Sequence, residues 1–262
     1  IRLSNDLKSR YEAGIELAQK AAKIAMGYYE TALDIEWKHD ESPVTIADRE
    51  AEKFLRNSLK QYFKQDGFLG EEYDDEPGDS GYRWIIDPID GTRNFVRGIP
   101  IWATLLGLEY KGEMLAGITV APGLNQTYRA LRGDGAFRND IKINVSTINS
   151  LGASQLFYSS ISWFVKAGME KEFLALASAT EKQRGFGDFY GFVLVAQGAG
   201  EIMIEHGVHA WDVASIIPLI EEAGGKFSDW KGNKSIYAPD VLVTNGILHQ
   251  QILDRLANKI HR

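Results

Sequence analysis

The segment Trp84-Ile-Ile-Asp87-Pro-Ile-Asp90-Gly-Thr92 ends an apolar run in two carboxylates set around a proline. Pro88 stiffens the turn and Gly91 allows close backbone approach, so Asp87 and Asp90 can converge at a strand end. Two adjacent carboxylates repel, burial sharpens the conflict, and a divalent cation removes it. The same residues also suit a structural turn, because Asp and Pro are common turn formers. Further acids stand at comparable junctions. Glu71 and Glu72 follow a short apolar stretch, Asp48 closes Pro43-Val-Thr-Ile-Ala-Asp48 ahead of a helical pattern, and Asp212 opens another in Gly207-Val-His-Ala-Trp-Asp212. Taken singly, Asp48 and Asp212 read as helix-start residues and Glu71 as a solvated loop acid. Together they read as a carboxylate constellation. Every candidate donor is a hard oxygen, which suits Mg²⁺ or Mn²⁺ rather than Zn²⁺. The five His lack zinc-site spacing, and with no Cys there is no thiolate ligand or nucleophile.

The elements that must position these acids follow from hydrophobic periodicity. Residues 6–33 read as a helix and 47–63 as a second, amphipathic one. Residues 68–69 read as a short strand, 71–81 as an acidic, mobile surface loop, and 82–86 as a strand running into Asp87. Strands over 101–110, 114–122 and 126–131, with a turn at Gly133-Asp134-Gly135, make the first half two helices followed by a mostly antiparallel sheet. The second half alternates strands over 154–158, 201–205, 226–228 and 241–243 with helices over 166–179, 189–197, 211–223 and 249–259. One domain with two lobes is expected, about 1–146 and 147–262.

Composition narrows the class. Hydrophobic residues at 44% and charged residues at 25% are ordinary for a soluble globular protein. A net charge of −7 argues against a general nucleic-acid binder. No run of 18 apolar residues exists, which argues against a membrane span. The stretch from Ile1 lacks a signal-peptide core and is compatible with a trimmed leader. Without cysteine there is no disulfide framework, so a cytoplasmic location is expected.

The order Gly70-Glu-Glu72, Asp87-Pro-Ile-Asp-Gly-Thr92, then Trp211-Asp-Val-Ala214 followed by Glu222-Ala-Gly-Gly225 resembles the inositol monophosphatase family over about 42–232. The resemblance implies a mixed α/β layered α-β-α-β-α sandwich, a homodimer, and a lithium-sensitive, metal-dependent phosphatase acting on a small phosphorylated metabolite. By motif position, it implies that Glu71, Asp87 and the carbonyl of Ile89 hold one Mg²⁺, and that Asp87, Asp90 and Asp212 hold a second. It implies that Thr92 and Asp48 orient and activate the attacking water, with Glu72 supporting the metal site. The backbone of Gly91 and Thr92, opening a helix beside Arg93 and Asn94, would hold the phosphate. Phosphoryl transfer needs charge neutralisation and alignment more than covalent help. With no cysteine and no Asp-x-Asp-Gly-Thr nucleophile, direct attack by water is the simpler route.

Two features narrow the alcohol. In inositol-type members the residue after the glycine of the Arg184-Gly-Phe-Gly187 stretch is small or hydroxylic, whereas here it is Asp188. An acid there suits a substrate carrying an amine. Glu205, seven residues before Asp212, matches the family's substrate-contacting acid. The run Asp90-Gly-Thr-Arg93-Asn94-Phe-Val-Arg97-Gly-Ile-Pro-Ile-Trp102 resembles the histidinol-phosphate phosphatase branch. The expected reaction is hydrolysis of histidinol phosphate in histidine biosynthesis. Inositol phosphate or another small monoester is the alternative, and the intact acid set argues against a catalytically silent relative. Asp188 also suits a helix N-cap. Arg184 reads as spanning a subunit interface, holding a pocket acid or pairing with a surface acid. Trp102 reads as core, Arg93 and Arg97 as solvated or phosphate-side, and His209 as structural or as supporting the metal site.

Overall fold

The computed structural model describes residues 5–32, 34–38 and 43–257. The first half runs α1 (Asn5–Met26), β1 (Glu36–Trp37), β2 (Pro43–Val44), α2 (Ile46–Tyr62), β3 (Gly67–Gly70), β4 (Tyr82–Asp90), the one-turn α3 (Thr92–Phe95), β5 (Ala103–Tyr110), β6 (Glu113–Ala121), β7 (Gln126–Leu131), β8 (Gly135–Arg138) and β9 (Ile141–Ile143). The second half runs β10 (Gln155–Tyr158), α4 (Ile161–Lys166), α5 (Glu170–Ala179), β11 (Lys182–Arg184), α6 (Asp188–Ala196), β12 (Ile202–His206), α7 (Ala210–Ala214), α8 (Ile216–Glu222), β13 (Lys226–Ser228), β14 (Asp240–Thr244) and α9 (His249–Ala257).

Strands β3 to β9 form one sheet in chain order, with only the β3–β4 pair parallel. The second sheet has the order β11-β10-β12-β14-β13, parallel across β11, β10 and β12 and antiparallel beyond. Alternate side chains of a strand go to opposite faces, and here both faces are covered. On β4, Trp84 and Ile86 join the core beneath α1 and α2, while Ile85 joins the core between the sheets. On β12, Met203 faces that central core, and Ile202 and Ile204 face the outer layer of α5 and α9. Helices α7 and α8 pack on the large sheet, and α6 packs on α8 and the small sheet. The layers are therefore α1–α2, large sheet, α6–α8, small sheet, and an outer helical layer, which is the expected α-β-α-β-α sandwich.

Several boundaries differ from those expected. The first helix stops at Met26 rather than at 33, and residue 33 lies outside the described residues. Tyr29 continues the apolar spacing because its ring packs on Phe95 and Trp102, at 5.6 and 5.9 Å, from the turn that follows. The helix expected over 166–179 begins only at Glu170, as α5, after Gly168 at φ 64°, and Lys166 instead ends α4, a helix not expected. The one expected over 211–223 divides at Ser215. Helix α9 ends at Ala257, so residues 258 and 259 of the expected span also lie outside the described residues. Strands β1, β2, β8, β9 and β11 are additional to those expected. Much of the 71–81 loop is exposed, yet Phe68 and Glu76 tie it to β3 through reciprocal backbone bonds of 2.7 and 2.8 Å. Among the described residues no helix is long and apolar enough to cross a membrane.

Candidate active site

Strand β4 carries the first two acids to the site. Pro88 cannot donate to the ladder, and there the pairing slips: Asp87 stands opposite Leu105 and Asp90 opposite Ala103, three steps against two. The bulge leaves the Pro88 carbonyl to the Thr104 hydroxyl at 2.8 Å. Such bulges re-aim side chains. Gly91 then turns the chain with φ 86°, and a Cβ there would come within 3.1 Å of the Ile101 carbonyl, so only glycine fits.

Asp212 comes from the opposite layer, in the first turn of α7, where its carboxylate accepts the His209 backbone N–H at 2.7 Å. The His209 ring stacks on Trp211 at 5.0 Å, and its Nδ1 stands 3.6 Å from Asp212 Oδ2. Oxygens of Asp87, Asp90 and Asp212 lie within 4.8 Å of one another. Glu71, at the end of β3, abuts Asp87. Burial raises the Glu71 carboxyl to about 7, with Lys38 opposing and Glu72 and Asp212 adding to the shift. Asp87 and Asp90 are held well above the usual carboxylate range by burial and by the surrounding acids.

Asp48 arrives on α2. Its Oδ2 accepts from the Thr45 backbone at 2.8 Å and the Thr45 hydroxyl at 2.7 Å. Its Oδ1 faces the Thr92 hydroxyl at 3.4 Å, while that hydroxyl donates to the Ile89 carbonyl at 2.9 Å. Burial raises Asp48 to about 6 against those hydrogen bonds. Glu72 is buried beside it, and its backbone N–H donates to Glu52 Oε2 at 2.8 Å.

The cavity over these acids measures about 590 Å³. Gly91, Thr92, Arg93 and Asn94 line it, with Asp188 directly beside Gly91 and Asn94, and Glu205 lines it as well. Asp188 is not the cap of α6: Gly187 holds that position, and the free Phe189 N–H of the first turn donates to Asp90 Oδ2 from β4. Asp188 instead sits in left-handed backbone, at φ 53°, which costs a residue with a side chain about 1–2 kcal/mol. Its Oδ2 reaches Asn94 Nδ2 at only 3.4 Å. Burial and Asp212 push it up to about 6, with Arg93 pulling the other way. Glu205 is buried and held well above its usual range by that burial and by Asp188, with the Ser159 hydroxyl opposing. Arg184 stays apart: it is exposed and donates to the Gln183 carbonyl at 2.9 Å, so within this chain it holds no pocket acid. Arg97 is exposed, and Trp102 is core, edge-on to Phe95 at 4.9 Å.

Two residues unanticipated from the sequence complete the acid cluster. Lys38, next to β1, bridges Glu71 and Glu72 at 2.7 and 2.6 Å. Glu52 pairs with Arg56 at 2.8 Å and anchors the Glu72 backbone. Its signal was its position one helical turn after Asp48, on the same face. Lys38 had none, since its partners lie more than 30 residues away.

The inositol monophosphatase family model matches residues 6–262. The chain belongs to that family. As a member, it is a phosphatase, a phosphoric monoester hydrolase of a superfamily that uses divalent metals. It is 37% identical over 249 residues to the histidinol-phosphatase of Chlorobaculum parvum, covering 94% of this chain and 96% of that one. It is 38% identical to the histidinol-phosphatase of Mycobacterium tuberculosis, covering 86% and 88%. The crystal structure of the extragenic suppressor protein suhB of Bartonella henselae superposes with a TM-score of 0.88 at 30% identity, over 94% and 97% of the two chains.

The carboxylates of this phosphatase fit a divalent cation: they are hard donors, mutually repelling and mostly buried. This predicts how stability responds to pH. A carboxyl whose folded pKa is raised binds extra protons when folded, so its share of metal-free stability is full below about pH 4 and is lost as pH rises through the raised values, about 6 for Asp48 and Asp188 and about 7 for Glu71. Mg²⁺ should therefore raise the melting temperature most at alkaline pH. At a fixed concentration a hundred times the dissociation constant at pH 8, the gain should be roughly 5–10 °C at pH 8 and far less at pH 5, where the acids are protonated and the affinity is lower. Differential scanning fluorimetry with Mg²⁺ and with EDTA checks this, and an equal gain at both pH values would contradict it.

Proposed function

We propose that this phosphatase hydrolyses histidinol phosphate to histidinol and inorganic phosphate, with Mg²⁺ held by Glu71, Asp87, the Ile89 carbonyl, Asp90 and Asp212. The observation carrying the substrate is Asp188: a strained, poorly partnered carboxylate beside the Gly91–Thr92 wall. Histidinol phosphate bears its ammonium on the second carbon from the ester oxygen. With the phosphate against Gly91 and Thr92, that ammonium meets Asp188, and a charge-assisted hydrogen bond repays the strain. A neutral polyol offers the acid only uncharged O–H donors, a weaker pairing than an ammonium. The names of the two histidinol-phosphatase relatives agree with this reading.

Bound divalent cations supply charge neutralisation, a more acidic water and stabilisation of the leaving oxygen. The chain's own groups do the rest. The Thr92 hydroxyl orients the attacking water, and Asp48 takes its proton, a role suited to a carboxylate raised to about 6. Backbone N–H groups at Gly91 and Thr92 hold the phosphate oxygens. Water attacks phosphorus, the P–O ester bond breaks, and the departing oxygen takes up a proton from solvent to leave as histidinol, while Asp48 passes the proton it took to solvent. Glu72, anchored through Glu52, keeps Glu71 and Asp48 in register.

Thr92→Ala separates water orientation from metal binding. It should lower kcat about a hundredfold while keeping the Mg²⁺-induced rise in melting temperature; losing that rise would place Thr92 in the metal site instead. The proposal as a whole is tested by phosphate release from histidinol phosphate. Activity should vanish in EDTA and return with Mg²⁺ or Mn²⁺, and full turnover in a metal-free preparation would overturn it.

A further inference from the structure

Beyond Asp188 the cavity continues to an aromatic wall. Trp163 of α4 lines it together with Glu205, Ser159 and Gly207. The indole lies flat on the backbone at Gly207, where any Cβ would come within 3.0–3.1 Å of three indole carbons. Residue 207 thus lacks a side chain where the ring needs the space. The ring face already attracts a cation, since Lys166 Nζ stands 4.6 Å from the indole centroid on an exposed, flexible stem. Beside it, the Oε2 atom of Glu205 is buried and has no hydrogen-bond partner. A buried carboxylate oxygen left unpaired is costly, so this atom calls for a hydrogen-bond donor, a place that a ring N–H of the bound substrate fits.

We infer that Trp163 and Glu205 Oε2 form a seat for a planar, N–H-bearing ring, and that Trp163 is a specificity residue for the imidazole end of the substrate. The inference rests on the histidinol phosphate reading and extends it. The phosphate lies at Gly91 and Thr92, the ammonium at Asp188, and the imidazole on the Trp163 face in place of the Lys166 ammonium, with its N–H donated to Glu205. Cation–π and stacking contacts in a desolvated pocket are worth a several-fold change in affinity.

The test compares histidinol phosphate with phosphoethanolamine, which carries the ammonium at the same position but no ring. In the wild type, kcat/KM should favour histidinol phosphate. In Trp163→Leu the ratio of the two kcat/KM values should fall about five- to thirtyfold, chiefly through the KM for histidinol phosphate. Trp163→Phe keeps an aromatic face and should lose less than about threefold of the ratio. An unchanged ratio in Trp163→Leu would overturn the inference. So would an equal loss on both substrates accompanied by a lower melting temperature, the mark of a merely structural tryptophan. Failure of the underlying reading looks different: wild-type enzyme that hydrolyses inositol phosphate better than either amine.

Discussion

Asp87→Asn should abolish most activity, lowering kcat/KM by about a thousandfold or more, while leaving the folded protein at least as stable without metal. Asp87 is fully enclosed, abuts Glu71 and shares its space with Asp90 and Asp212. Its carboxyl is raised by burial and by Glu71, Asp90 and Asp212 together, and a shared metal ligand controls several kcal/mol of transition-state charge stabilisation. The amide keeps the shape and removes a charge that burial and neighbouring acids already disfavour. The metal-free melting temperature should therefore stay level or rise, and the Mg²⁺-induced increase should shrink or disappear. Near-normal turnover of the variant at saturating Mg²⁺ would remove Asp87 from the centre of the mechanism.

Asp188→Asn should divide the substrates by charge. A hydrogen bond to a charged group is worth roughly 1.5–3 kcal/mol, and about 1.4 kcal/mol is a factor of ten, so kcat/KM for histidinol phosphate should fall about ten- to a hundredfold. Glycerol phosphate and inositol phosphate should fall little or gain. Because Gly187 caps α6, the substitution removes no cap, and Asn tolerates the left-handed backbone at 188 as well as Asp does. The metal-free protein should not lose stability, since the Asp188 carboxyl is raised to about 6 and its ionised form is a burden at neutral pH. An equal loss on charged and neutral substrates would leave Asp188 a structural acid.

Much of this arrangement was legible in the amino-acid sequence because the acids sit at ends of strongly patterned elements. The unbroken apolar run Trp84, Ile85 and Ile86 announces a strand buried on both faces, and Asp87 interrupts it where no buried acid should stand unpaired. The layered sandwich followed from motif order. What stayed hidden is tertiary. Tyr28 and Tyr29 keep helical spacing after the helix has ended, because their packing partners belong to the segment around α3. Ser215 divides a helix whose apolar periodicity runs on across the break, and Gly168 in left-handed backbone delays the start of α5. Strand β11 is only three residues long and largely polar, and is defined by its pairing with β10 rather than by any pattern of its own. Lys38 and Trp163 enter the site from neighbouring layers, and no local spacing connects them to Glu71 or Glu205. The left-handed backbone of Asp188 is likewise a property of the turn into α6, which the composition of Gly187-Asp188-Phe189 permits but does not announce.

The most direct measurement is a comparison of kcat/KM for histidinol phosphate and for myo-inositol 1-phosphate on the wild-type protein in saturating Mg²⁺. Asp188 and Glu205 line the alcohol side of the cavity with two buried or half-buried acids, and a site built to pair a charged donor discriminates strongly against a substrate lacking it. The account predicts at least about a hundredfold preference for histidinol phosphate. Equal rates, or a preference for the inositol ester, would contradict it and leave a phosphatase of this family whose pocket acids serve another alcohol.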